Sequence, residues 1–270
     1  DGKGDIEGDI EGDIEGDGHD DASTAGRPVA LKLPLLHRSG SSSAARFERE
    51  GRILAGLQHP HIARLLDAGS TDDGTPWLAL EWVDGLDLLQ WCSARRSSRA
   101  QRLALFGQVL DAVAHAHARL VLHRDLKPSN ILVDEQGQVK LLDFGIAKLL
   151  DADERASATE LTRAVGRVMT TAYAAPEQLR GDTLTPATDV YALGVLLFEL
   201  LTGQRPYRTR FESVAQLEQA IDAGDLRRLS ELDRGLRGDL DAIVAKALQR
   251  DPAQRYASAD ALAEDLRRHQ

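Results

Sequence analysis

The sequence predicts an α+β chain in two lobes, a small β-rich one followed by a larger helical one. Two observations carry this. Between positions 28 and 83 the apolar residues fall in short β-type runs around one helix-periodic segment, whereas beyond Gly85 their spacing is helical almost to the end. Between the helical stretches lies His123–Gly145, HRDLKPSNILVDEQGQVKLLDFG, in which two apolar runs flank a polar turn at Asp134–Gln138. That pattern predicts a β-hairpin, and one so short brings HRDLKPSN and DFG side by side at its open end. The expected divisions are an acidic low-complexity segment at 1–26, the small lobe at 27–84 and the large lobe at 85–270.

Residues 1–18, DGKGDIEGDIEGDIEGDG, repeat GDIE three times. Glycine at the period of the repeat opposes a helix, and acidic charge with little apolar surface favours disorder. Asp13, Glu15, Asp17 and Gly18 mimic the opening of a calcium loop, but the twelfth position is Thr24 and not a bidentate glutamate. Pro28–Leu36 reads as a strand with Lys32 in its middle. Ala44–Gln58 has helical spacing, with Phe47, Ile53, Leu54 and Leu57 on one face and Glu50 flanking it. Ala63–Ala68 and Trp77–Val83 read as two further strands, split by the turn TDDGTP.

Leu86–Ser93 reads as a short helix. Arg99–Arg119 reads as a long one, apolar at Leu103, Phe106, Val109, Leu110 and Val113. His115 and His117, two apart, lie on different faces and do not share a metal, so they read as core or surface histidines. Residues 146–174 form a long polar segment rich in Ser and Thr, of a length that is functional or disordered. Helices over Asp189–Thr202, Arg210–Ala223, Asp239–Gln249 and Ser258–His269 complete the large lobe.

Composition narrows the function classes. Of the net charge of −10, residues 1–26 hold −9, from ten acidic residues and one lysine, so the rest is close to neutral and offers no nucleic-acid surface. No run approaches the roughly 18 apolar residues of a membrane span; Val190–Leu201 is broken by Glu199 and reads as a buried helix. The acidic, glycine-rich start does not read as a secretory signal. The single cysteine, Cys92, excludes an internal disulfide and reads as packing beside Trp91. A cytoplasmic location is expected.

Within His123–Gly145, the carboxylates of Asp125 and Asp143 and the amide of Asn130 are hard oxygen donors at one edge of the hairpin. Such a set suits metal ions held against phosphate. Around it stand further blocks in order: VALK (29–32), a helix carrying Glu50, APE (175–177), DVYALG (189–194) and Arg255 in DPAQRY. From about Arg27 to the end, these blocks together resemble the catalytic domain of a eukaryotic-like (Hanks-type) serine/threonine protein kinase. The wording YAAPEQ and DVYALGVLLFELLTG is most similar to the bacterial branch.

The resemblance implies a two-lobed kinase fold, ATP and Mg²⁺ as cofactors, and protein substrates with Ser or Thr acceptors. Lys32 would neutralise the ATP α- and β-phosphates and Glu50 would hold it, with Glu48 the neighbouring competitor. Asp125 would accept the proton of the substrate hydroxyl, Lys127 would steady the transferred phosphate, and Asn130 and Asp143 would bind Mg²⁺. Gly145 would free the backbone to turn after Asp143. Thr170, which follows Met169 where the family usually has glycine, would bridge the catalytic Asp and Lys. Ala30 and Leu132 would enclose the adenine, with Leu80 as gatekeeper and Glu81 to Val83 as the hinge. Arg124 would receive a phosphate on the activation segment, where Ser157, Thr159 and Thr162 are candidate acceptors; transfer in trans would need a transient dimer. Glu177 and Arg255 would pair, and Asp189 would hold the catalytic-loop backbone.

The sequence departs from the family at one place. No GxGxxGxV precedes Lys32; residues 1–26 offer only GKGDIEG, with no apolar strand pair around it. The small lobe is therefore expected to lack its first two strands. The leading reading is a protein kinase, and the alternative is a catalytically impaired regulatory or nucleotide-binding module. A small-molecule kinase would share the Asp and Asn but not the APE block or the HRDLKPSN wording.

Overall fold

The computed structural model describes residues 28–33, 51, 54–144, 172–207 and 214–269. They fall in two units, one comprising the described residues up to Ala55 together with Arg64–Trp82, the other Gly56–Ala63 together with the described residues from Val83 onward. No helix among the described residues is long and apolar enough to cross a membrane.

The first unit is built on an antiparallel sheet of β1 (Val29–Lys32), β2 (Leu65–Ser70) and β3 (Pro76–Glu81), in the order β1-β3-β2. Its register sets Ala30 opposite Leu80 and Lys32 opposite Leu78. A bulge between Leu65 and Asp67 bends β2, and β3 carries the buried Leu78 and Ala79. Gly51, Leu54 and Ala55 are helical, within the segment expected to be a helix. A side chain at Gly51 would touch Ala68 and Leu78, which is how a helix comes down closely on the sheet.

In the second unit a further antiparallel sheet has the order β4-β5-β6, from β4 (Leu86–Asp87), β5 (Ile131–Val133) and β6 (Val139–Leu141). The expected helix over Leu86–Ser93 therefore starts later. Leu86 and Asp87 pair with Val133 and Leu132, and the Asp87 carboxylate then caps α1 (Leu88–Ala94) by accepting the N–H groups of Leu89 and Gln90. Cys92 on α1 is buried, in keeping with a packing role. α2 (Arg99–His117) opens on a capping box, with Gln101 N–H to Ser98 Oγ at 3.3 Å and Ser98 N–H to Gln101 Oε1 at 2.8 Å. It ends at His117, two residues before the expected Arg119.

The β5–β6 hairpin closes over Asp134–Gln138, with Gly137 at φ 79° and the Asp134 carboxylate accepting the Gln138 N–H. Its outer edge does not stay open. Gln108 of α2 accepts the Val139 N–H at 2.8 Å, and the segment at 61–63 exchanges hydrogen bonds with Leu141 in a parallel bridge. Covering an edge in this way prevents pairing with other chains.

Among the described residues the remaining α-helices are α3 (Pro176–Arg180), α4 (Pro186–Thr202), α5 (Val214–Asp222), α6 (Leu229–Leu232), α7 (Asp239–Ala247) and α8 (Ala259–His269). α4 begins three residues before the expected Asp189, because Pro186 at the first helical position needs no N–H partner there. It is apolar nearly all round, so it is buried on all sides as the centre of the unit. Residues such as Val195, Leu196, Leu197 and Phe198 each gain about 1.5–3 kcal/mol from leaving water.

Candidate active site

The site grows from the loop between α2 and β5. His123 is fully buried, and its ring joins the two motifs that the hairpin brings together. Nε2 donates to the Leu142 carbonyl at 2.8 Å, Nδ1 accepts the Asp125 N–H at 3.3 Å, and the ring packs 4.8 Å from that of Phe144. Both nitrogens are used in the neutral form, and burial pushes the imidazole pKa down. A second tie runs from the Leu142 N–H to the Asn130 carbonyl at 2.8 Å.

Asp125, Lys127 and Asn130 form one hydrogen-bonded group. Lys127 Nζ lies 3.1 Å from Asp125 Oδ2, and the Asn130 amide nitrogen donates to the Asp125 carbonyl at 2.8 Å and to Oδ2 at 3.2 Å. A single 3₁₀ turn over Pro128–Asn130 sets this spacing, and Pro128 at its start favours the turn. Both amide hydrogens of Asn130 are directed at Asp125, so its Oδ1 is the atom left for a cation. Asp143 lies two residues beyond the end of β6 and sits in the left-handed region at φ 48°, as Arg124 does at φ 66°. Two such residues around one loop mark a backbone held in place by its surroundings.

Asp189 on α4 does that holding. Its Oδ2 accepts the His123 N–H and its Oδ1 the Arg124 N–H, each at 2.8 Å, and His117 Nε2 donates to Oδ2 at 2.8 Å. Burial alone would raise the Asp189 pKa; the hydrogen bonds from His117 and the Arg124 amide, with the charges nearby, outweigh it and hold the carboxyl below its usual range. Gln178 Nε2 donates to the Arg124 carbonyl at 2.8 Å and fixes the loop from α3. The Arg124 Nε is buried with no hydrogen-bond partner among the described residues.

Of the expected site residues in the first unit, Ala30 and Lys32 lie on β1, Leu80 and Glu81 on β3, and the Glu81 carboxylate accepts the Arg64 N–H at 3.1 Å. Val83 and Leu132 belong to the second unit, Leu132 in the middle of β5. Glu177 and Arg255 are paired and buried. Glu50 and Glu48, Gly145, Thr170, Ser157, Thr159, Thr162 and the GDIE repeat lie outside the described residues.

Two contributors escape a reading of motifs. His117 reads as an ordinary core or surface residue in sequence, yet it supports Asp189. Leu110, Val113 and His117 recur at helical spacing on the buried face of α2, and that periodicity was the available signal. Gln178 has no such signal, because its partner lies 54 positions away.

A family model described as protein kinase domain matches residues 21–267. The chain is 33% identical over 243 residues to the serine/threonine-protein kinase PrkC of Bacillus subtilis, covering 89% of this chain and 36% of that protein. It is 36% identical over 245 residues to the serine/threonine-protein kinase pkn3 of Myxococcus xanthus, covering 88% and 44%. It is 37% identical over 242 residues to the serine/threonine-protein kinase PknL of Mycobacterium bovis, covering 89% and 58%. The chain thus spans between 36% and 58% of the length of these three relatives. With a match over nearly its whole length, and with a small antiparallel sheet followed by a larger helical lobe, this chain belongs to the protein kinase domain family.

Proposed function

We propose that this domain transfers the γ-phosphoryl group of ATP to Ser or Thr hydroxyls of proteins, with Mg²⁺ as cofactor. The observation that carries the proposal is the Asp125–Lys127–Asn130 group. In it one carboxylate is oriented by a lysine and an amide at 3.1 and 3.2 Å, at the open end of the hairpin that delivers Asp143.

Asp125 is the group that accepts the proton of the incoming hydroxyl and orients it. Its Oδ2 is held by Lys127 and Asn130, so the carboxylate does not have to find its position at the moment of reaction. Lys127, a cation beside that carboxylate, balances the charge of the transferred group. Asn130 Oδ1 and the Asp143 carboxylate are the hard oxygens that would hold Mg²⁺, and the donor set fits a cation that takes few protein ligands. When bound, Mg²⁺ neutralises phosphate charge. Lys32 is assigned to the phosphates of the same nucleotide, Glu50 to holding that lysine, and Ala30, Leu80, Glu81, Val83 and Leu132 to the base. Thr170 and Gly145 are assigned to positioning around Asp125 and Asp143.

Arg124 is assigned to a phosphate on the segment at 146–174, and its unpartnered buried Nε supports that reading. Ser157, Thr159 and Thr162 are the acceptors to test there, and transfer between copies would make a second copy a transient partner.

The test is incorporation of labelled phosphate from ATP with Mg²⁺ into this chain and into a generic protein substrate. Incorporation by the wild type that falls about 100-fold or more in Asp125→Asn is expected. Asp143→Asn should lose it as well. A second reading, a nucleotide-binding regulatory module, is favoured by the missing GxGxxGxV. Nucleotide binding with no incorporation by the wild type would select it.

A further inference from the structure

Gly56–Ala63 belongs to the second unit, and the strand that leads to Asp143 holds it there. The Leu141 N–H donates to the His61 carbonyl at 2.8 Å, the Ala63 N–H donates to the Leu141 carbonyl at 3.0 Å, and His61 Nδ1 lies 3.2 Å from the Val139 carbonyl. Three imidazoles gather along this segment. The His59 ring lies 4.7 Å from that of His115 on α2, tilted by 42°, and 5.5 Å from that of His61, edge on. None of the three belongs to the site described above.

The hydrogen bonds select one protonation state. His59 Nδ1 accepts the His61 N–H at 3.2 Å, within a turn that also returns the Ile62 N–H to the His59 carbonyl at 3.1 Å. His115 Nδ1 faces Arg119 Nη1 at 3.2 Å, and a guanidinium can only donate. Both Nδ1 atoms therefore carry the lone pair, both Nε2 atoms carry the hydrogen, and both rings are neutral. A second proton has to land on Nδ1, against a backbone N–H in one ring and a cation in the other. His61 differs, since its Nδ1 faces the Val139 carbonyl. The same tautomers disfavour a metal here, and among the described residues no group of three His, Cys, Asp or Glu is placed to hold one.

We propose that His59 and His115, with His61, form an acid-sensitive clasp that fastens the 56–63 segment to β6 and α2 and loosens when either ring takes a second proton. The neighbouring charges agree in sum. Burial comes first in disfavouring the charged His59, followed by His115 and His61; Asp111, one turn before His115, pulls the other way, and Arg119 opposes the proton. Burial and then Arg119 disfavour it on His115. Both rings are thus held below the ordinary value of 6.5. Bases depressed on folding contribute stability that is complete above that value and is lost as the pH falls below it, because the unfolded chain then binds more protons.

Loosening at Leu141 has a short path to the site. Leu142, the next residue, is tied to Asn130 and to His123, and Asp143 follows it. An effect on phosphate transfer rests on the proposed function; the clasp itself does not.

The test compares thermal unfolding of the wild type and of a His59→Gln/His115→Gln double variant at pH 7.5 and 5.5, in one buffer and at one ionic strength. The wild type should lose about 3 °C or more beyond the loss of the double variant on acidification. His117 and His123 are present in both proteins, so their contributions cancel. Equal losses would overturn the clasp. If the double variant does not fold, NMR titration of the wild-type imidazoles, assigned through single His→Gln variants, decides. A midpoint below 6.5 for His59 or His115 supports the clasp, and midpoints at or above 6.5 for both overturn it. Neither readout involves ATP, so failure here is separable from failure of the kinase reading.

Discussion

Arg255 and Glu177 form a two-pronged ion pair sealed inside the second unit, Nη1 to Oε1 at 2.7 Å and Nη2 to Oε2 at 2.9 Å. The remaining guanidinium hydrogens go to the carbonyls of Ala187, Arg250 and Gln249, and the group stacks 4.9 Å from the Tyr191 ring. All five donors are used, which is the condition under which a buried pair is tolerated. It ties the APE block to the start of α4 and to the turn before α8.

Removing one partner leaves a buried charge exposed to nothing. Glu177→Gln or Arg255→Ala should therefore destabilise the domain by about 3–5 kcal/mol, read as a lowered urea midpoint with an unchanged slope. The pair also sets an acid limit. Burial alone would raise the Glu177 carboxyl, but the Arg255 hydrogen bonds outweigh it and hold the pKa below the ordinary 4.5. A depressed acid gives stability that is complete above the unfolded value and is lost as the pH falls through the folded one. Wild-type stability should thus drop steeply below about pH 4.5, and the Glu177→Gln variant should show less of that drop.

Asp189→Asn tests the support of the catalytic loop. Both carboxylate oxygens accept N–H groups, Oδ1 from Arg124 and Oδ2 from His123 and His117. Either orientation of an asparagine amide would set its NH₂ against another donor. A loss of about 1–3 kcal/mol is expected in denaturant titration. On the proposed function, phosphate transfer should fall about 100-fold, since a small displacement of Asp125 is enough. Unchanged stability would mean that the loop holds itself.

The hairpin at His123–Gly145 was legible because two apolar runs around a polar turn admit few other folds, and Asp134–Gln138 does form that turn. Element ends were less legible. Leu86 and Asp87 sit in a helical pattern, but Asp87 is worth more as a cap, and its backbone pairs with a strand 45 positions later in the chain. At Pro186 the local rule was available and marks the start of α4 correctly. The partners of Asp189 could not be found by spacing, because they lie 65 to 72 positions away; only the family resemblance pointed to the loop. His117 was half legible, its burial through periodicity and its partner not at all.

Gly194 on α4 faces the C-terminal end of α7. A Cβ built there would stand 2.9 Å from the Ala247 Cβ and 3.1 Å from Leu248 Cγ. Both neighbours are buried, so neither can swing away cheaply. Gly194→Ala should destabilise by about 1–3 kcal/mol through overpacking, although alanine is the better helix former. An Ala247→Gly change in the same chain should recover part of the loss, which distinguishes the contact from a general intolerance of substitution.

Leu120 offers the opposite case, a position where the sequence is worse than it could be. α2 is closed by the Val121 N–H reaching back to the Ala116 carbonyl at 3.0 Å, and this closure puts Leu120 in the left-handed region at φ 61°. An L-residue with a Cβ is penalised there by about 1–2 kcal/mol, and glycine is not. The side chain gives nothing in return, being 94% exposed. Leu120→Gly should therefore stabilise by about 1 kcal/mol, despite the entropy that glycine adds to the unfolded chain. The unfolding midpoint should rise by about 2–4 °C. Leu120→Ala separates the two causes: it removes the exposed apolar surface but keeps the Cβ, so it should leave the midpoint where it is. A rise with alanine as large as that with glycine would place the penalty in the side chain and not in the backbone.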